Sequence, residues 1–163
     1  MDWIEKLDGH SLDDLLQAEK QIVAKEPKSG FKEEFNHFKT DIELEAISIK
    51  ARYRMFIRQN KTYPENFSIG LEYYGPQGTV KLIRFNGAHK RIEDKIDDHH
   101  YNYHIHFETG EEESLNTLQT TENTKEYSDL SSAIKYSMDR LCITNYSGYF
   151  PEIDQLVIDL EEA

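Results

Sequence analysis

Residues 41–60 read DIELEAISIKARYRMFIRQN. Ile42, Leu44 and Ala46 share one parity, and Ile47, Ile49, Ala51, Tyr53, Met55 and Ile57 share the other. Each run has the two-residue period of a strand that buries one face. A slip of one residue exchanges the faces, so the parity break at Ala46 and Ile47 predicts a bulge or a turn between two strands. The residues opposite the second apolar run are Ser48, Lys50, Arg52, Arg54, Phe56 and Arg58, a basic stripe on the other face.

The same patterning continues toward the C-terminus. After a loop containing Lys61, Tyr63 and Pro64, the residues Phe67, Ile69, Leu71 and Tyr73 announce another strand. Gly75, Pro76, Gln77 and Gly78 read as a hairpin connection into a strand over 79–85, closed by Asn86 and Gly87. Residues 101–107 alternate again, with Tyr101, Tyr103, Ile105 and Phe107 on one face and Asn102, His104 and His106 on the other.

Toward the N-terminus, Ser11 is the expected N-cap of a helix whose apolar stripe is Leu12, Leu15, Leu16, Ala18, Ile22 and Val23, ended by Lys25 and Pro27. Phe31, Phe35 and Phe38 predict a short helix or an irregular aromatic anchor up to Thr40. Residues 109–126, with Glu111, Glu112 and Glu113, have little to bury and are expected to be a mobile acidic loop. A helix capped by Ser128 follows, carrying Leu130, Ala133, Ile134, Tyr136, Met138 and Leu141; Ile153 to Leu160 form a short helix or a closing strand. The expected fold is α+β, a central antiparallel sheet of about four or five strands packed with an N-terminal helix and one or two C-terminal helices. Its parts are a helical segment at 1–40, the sheet at 41–108, the acidic loop at 109–126 and a helical segment at 127–163.

With 163 residues the chain is expected to be one domain. Its 37% hydrophobic content is lean, but 12% aromatics argue against wholesale disorder. The lone Cys142 excludes an intramolecular disulfide and fits a reducing compartment. No apolar run reaches bilayer length, and the expectation is a soluble, cytoplasmic chain without a membrane partner. The net charge is −12, unevenly spread. Residues 47–106 carry ten Lys or Arg against six acids, a balance of +4 that leaves −16 for the rest. A basic, histidine-bearing centre is thus framed by acidic flanks.

Five of the seven histidines lie within residues 86–107. His104 and His106 stand two apart on one strand, roughly 6.5–7 Å from each other. With His89 or His100, and with Arg52, Arg54 or Arg84 holding a phosphodiester, they would form an acid/base pair of ribonuclease type, without metal or cofactor. A metal set would add His89, Asp97 or Asp98 to His104 and His106, a far less diagnostic pattern than a cysteine and histidine zinc signature. Against both stands the plainer reading that these rings decorate the solvated side of a sheet, and that Arg52, Arg54 and Arg58 are ordinary cations of an outer strand face.

Residues 41–60, the hairpin ending in LIRFNG, and the following H…H-x-H-F resemble a family of small uncharacterised bacterial and phage proteins. There, a strand ending in an Asn-Gly-like turn is followed by a His, a polar loop and a final His-x-His strand. The resemblance spans residues 40–108 and rests on Gly87, His89, His104 and His106, with Lys90 and Tyr103 standing where such proteins often have Asn and Pro. It implies an α+β fold and a phage or mobile-element setting, with no known activity. No catalytic signature is complete, so the leading expectation is a non-enzymatic, acidic protein that binds and inhibits another protein, such as a host defence nuclease. Binding would use Arg52, Arg54, Arg58 and Arg84 or the acids Glu111, Glu112 and Glu113, and the basic face leaves direct nucleic-acid contact open.

Overall fold

The computed structural model describes residues 3–23, 32–87, 103–107, 121–124 and 126–146. In chain order these form α1 (Trp3–Lys6), α2 (Leu12–Gln17), β1 (Gln21–Ile22), β2 (Lys32–Glu34), β3 (His37–Ala46), a 3-10 turn (Ile47–Ile49), β4 (Ala51–Asn60), β5 (Phe67–Gly75), β6 (Gly78–Asn86), β7 (His104–Phe107), β8 (Thr121–Asn123) and α3 (Leu130–Arg140). The fold is α+β. One antiparallel sheet runs β1-β3-β4-β5-β6-β7-β8, with β2 also paired to β3. It holds eight strands, more than the four or five expected. The surplus comes from β1, β2 and β8, each of two or three residues, too short to show a period and formed by pairing with a longer neighbour.

The parity break resolves as a turn. β3 ends at Ala46, the 3-10 turn follows, Lys50 takes a left-handed conformation (φ 53°), and β4 begins at Ala51 directly opposite Ala46. The alternation then sorts side chains as predicted: Ala51, Tyr53, Met55 and Ile57 are buried, while Arg52 and Arg58 are exposed and Arg54 and Phe56 half-buried. The hairpin between β5 and β6 is tighter than the four residues expected, because Gly75 and Gly78 already pair and only Pro76 and Gln77 connect them. A bulge between Leu71 and Glu72 inserts Leu82, which is fully buried.

Ile42, Leu44, Tyr53, Met55, Ile57, Ile69, Leu71, Phe85 and Ile105 face inward, and each fully buried aliphatic side chain contributes about 1.5–3 kcal/mol. The helices cover this face. Leu15 and Leu16 of α2 enter the core, and the Tyr53 hydroxyl donates to the Leu15 carbonyl at 2.9 Å. Ala133, Ile134 and Met138 of α3 enter beside them, with Tyr136 edge-on to Phe85 at 6.0 Å. A string of rings, Phe67, Tyr103, Tyr127 and Tyr136, with successive centroids 5.7–6.0 Å apart, joins β5 and β7 to α3. The Tyr127 hydroxyl lies 2.8 Å from the Asn86 carbonyl and 3.0 Å from that of His104, tying β6 to β7.

Several boundaries differ from expectation. Ser11 does cap α2, accepting from the Asp14 amide at 3.0 Å, but the helix stops at Gln17 instead of running to Lys25. The reason is tertiary: residues 20–23 are claimed by β3 and by the end of α3. β1 pairs with Leu44 and Glu45, Lys20 bridges to Ile143, and the Ile22 amide donates to Asn145 Oδ1 at 2.7 Å. The aromatic spacing at 31–40 is not helical either. β2 and β3 form a hairpin around Phe35 and Asn36, because β3 supplies a ladder that a short isolated helix lacks. Part of the expected acidic loop is strand β8, which completes the β7 ladder. The N-cap of α3 is Asp129, not Ser128, since Asp129 forms a reciprocal capping box with Ser132. Residues 147–163 lie outside the described residues, as does the expected element at Ile153 to Leu160. Among the described residues no helix is long and apolar enough to cross a membrane.

Candidate functional site

The face of the sheet turned away from the helices carries most of the residues singled out above. Antiparallel partners point to the same side, so the register orders this face in rows. One row is Glu45–Arg52 and the next is Glu43–Arg54–Glu72. A third is Asp41–Phe56–Gly70–Arg84–His106, and a fourth Lys39–Arg58–Ser68–Asn86–His104. Arg52, Arg54, Arg58, Arg84, His104 and His106 therefore share one face, as the alternation predicts. They do not share one site.

The separation follows from the strand order. Arg52 and Arg54 sit on β4 and the histidines on β7, three strand spacings or roughly 14 Å away. The arginine that the ladder sets beside a histidine is Arg84, opposite His106. Between Arg84 and the β4 stripe lies Phe56, whose ring occupies the space a Cβ on Gly70 would need, so an aromatic ridge divides the face.

On the β4 side Arg52 and Arg54 lie opposite carboxylates, while Arg58 lies between Lys39 and Ser68. Arg54 donates through Nη2 and Nε to one oxygen of Glu72, at 2.7 and 3.3 Å, and the Glu72 side chain is only 10% exposed. That hydrogen bond, reinforced by the charges of Glu72 and Asp41, holds the guanidinium's proton more firmly than usual. Tyr74 donates to Glu43 at 2.8 Å, and burial and this hydrogen bond both push its phenol up. The result is a neutralising ladder of acids on β3 and β5 flanking the basic strand.

On the β7 side His104 is 3% exposed and His106 half-buried. The buried Asn86 side chain accepts a hydrogen bond from Ser68 at 2.8 Å. Gly87 closes the row; a Cβ there would collide with the Glu65 carbonyl and the Phe67 ring, which accounts for glycine after Asn86. His89, Asp97, Asp98, His100, Glu111, Glu112 and Glu113 lie outside the described residues, and with them the third member of either histidine set. Among the described residues no three His, Cys, Asp or Glu side chains converge where they could hold a metal ion. His10 stacks edge-on against Tyr73 at 6.3 Å, as a structural histidine would.

Sequence reasoning missed Lys20. It is 0% exposed, and its ammonium donates to three carbonyls, Leu16 at 2.8 Å, Ala18 at 2.9 Å and Leu141 at 2.8 Å, while lying 5.1 Å from the centre of the Tyr53 ring. The first two carbonyls end α2 and the third ends α3, so one cation caps two helices at their negative poles. Burial pulls its pKa down to about 8. Three acceptors use the three donors of an ammonium, the form at neutral pH. Nothing in the local sequence AEKQIV marks this lysine as interior, because its acceptors at 141 are supplied from the far end of the chain.

No family model, curated protein sequence or solved structure matches this chain.

Proposed function

We propose that this chain is a non-enzymatic binding protein that inhibits another protein by covering a basic, nucleic-acid-handling surface on it, with a host defence nuclease as the partner class and a phage or mobile element as the setting. One observation carries the reading. Two arginines of the sheet face are set against carboxylates, Arg52 opposite Glu45 and Arg54 held by Glu72, whereas Glu5, Asp8, Asp13, Asp14 and Glu19 of the N-terminal helical segment are all exposed. The outward charge of that segment is therefore acidic, as is the net charge of −12, which suits a cationic protein groove and repels phosphate. The ribonuclease alternative draws support from the pairing of Arg84 with His106, a guanidinium beside an imidazole.

Mutants separate the two in a bacterial strain whose RNA-guided nuclease restricts an incoming phage, alongside a cleavage assay on single-stranded RNA with the purified chain. The binding reading expects protection to survive His104→Ala and His106→Ala and to disappear in the triple variant Asp13→Lys, Asp14→Lys, Glu19→Lys. RNA cleavage that His106→Ala abolishes would replace it with the enzyme.

A further inference from the structure

Phe35 is 95% exposed, the most exposed large apolar side chain among the described residues. It is also the first of the two residues linking β2 to β3, with φ at 54°. A two-residue hairpin with positive φ at that place normally uses glycine, and a bulky side chain is the costliest choice there. The chain thus holds a phenylalanine where the backbone disfavours it and where its side chain is left almost wholly exposed, a combination that packing among the described residues does not explain.

The base of this tip is firmly built. Lys61 donates its amide to the Asn36 carbonyl at 2.9 Å, and Asn36 Nδ2 donates to Thr62 at 3.0 Å. Asn60 Oδ1 accepts from the amides of Thr62 and Tyr63, both at 2.9 Å. Lys61 is pinned to Glu33 at 2.6 Å, with its ammonium 5.2 Å from the centre of the Phe38 ring. An aromatic side chain with two torsions, held out from a fixed turn, gives up little backbone entropy on insertion, which is the character of an interface anchor.

We propose that Phe35 is the anchor of a protein-binding tip, and that it inserts into an apolar pocket set within a basic protein surface. The inference rests on the binding reading above and names its point of attachment. Charge selects the partner: a chain of net charge −12 docks most readily on cationic surroundings. A nucleic-acid base stacked on Phe35 would instead need cations beside it for the phosphates, and Lys61, whose amide closes the turn, is paired with Glu33.

The test replaces single residues of the full chain with p-benzoylphenylalanine, at Phe35 and, separately, at the exposed Asp13 and Val23, and irradiates bacteria that carry the RNA-guided nuclease. Position 35 should cross-link to a discrete protein, at a peptide with apolar residues and nearby Lys or Arg. Against the purified form of that protein, Phe35→Ala should weaken binding by roughly 30-fold, the loss of a strong anchor. Phe35→Gly should weaken it similarly while raising the melting temperature by about 2–4 °C, because strain is relieved and no packing is lost. Cross-linking from Asp13 but not from Phe35 would overturn the anchor and leave the binding reading standing. Absence of protein cross-links from every position, or cross-links to RNA alone, would remove both. A fall in melting temperature for Phe35→Gly would show that Phe35 serves the fold and also overturns the anchor.

Discussion

Lys20 and Arg54 are cations placed on opposite sides of one sheet, and the two sides treat them differently. Lys20 lies under the helices, fully buried, with its three protons spent on carbonyls from residues 16, 18 and 141. Arg54 lies on the open side with its side chain 40% exposed, sharing one carboxylate oxygen of Glu72. Both are satisfied, but only the first joins distant parts of the chain. A buried donor with no substitute in solvent becomes a structural joint, whereas a half-exposed one can exchange its partner for water.

The sharpest way to break that contrast is Lys20→Met, which leaves three inward carbonyls without donors. We expect a loss of about 3 kcal/mol in urea unfolding followed by circular dichroism. Its pH dependence is diagnostic. The folded pKa of about 8 lies below the usual 10.5, so between those values the unfolded chain holds more protons and this group makes stability rise with pH. Burial raises Tyr53 and Tyr127 above their ordinary value, so their contribution is present below about pH 10 and is lost as pH climbs through their folded values. Wild type should therefore gain from Lys20 between pH 8 and 10 and decline above 10, and Lys20→Met should lack the gain.

Next in size is Gly87→Ala, whose methyl would meet the Glu65 carbonyl and the Phe67 ring. A cost of about 1–3 kcal/mol is expected in the same unfolding measurement, since the backbone must shift beside a filled core. On the open face, a double-mutant cycle with Arg54→Ala and Glu72→Ala should give a coupling of no more than about 1 kcal/mol, reduced by added salt, because the arginine remains half in water. A coupling of several kcal/mol would mean that the open face is as integral to the fold as the covered one. The smallest effect is expected at Lys135→Ala. Its pair with Asp139, one helical turn on, is exposed at both ends, and a change of about 0.3–0.5 kcal/mol is the expected limit.

What sequence reading recovered, and what it missed, divides along the same line. Residues 41–60 carry their own period, so β3, β4 and the turn between them were legible, as were the shared orientation of Arg52, Arg54 and Arg58 and that of His104 with His106. The pairing of rows was not. Which strand lies beside which is set by connectivity and register, and it is this that gave Arg84, not Arg52 or Arg54, to His106 and closed Arg54 onto Glu72. The short end of α2 was equally hidden, since residues 12–23 keep helical spacing until Asn145 and β3 take over the backbone of Ile22.

Period and composition, read without coordinates, thus established an α+β chain with an antiparallel core, an acidic excess and one strand face carrying cations and imidazoles. These are properties of neighbours along the chain, governed by local geometry and side-chain solubility. Folding settled the burial of Lys20, the division of the cationic face by Phe56, and the display of Phe35 at a strained turn. Each depends on groups far apart in sequence, and the hydrogen bonds and packing that determine it exist only once those groups have been brought together.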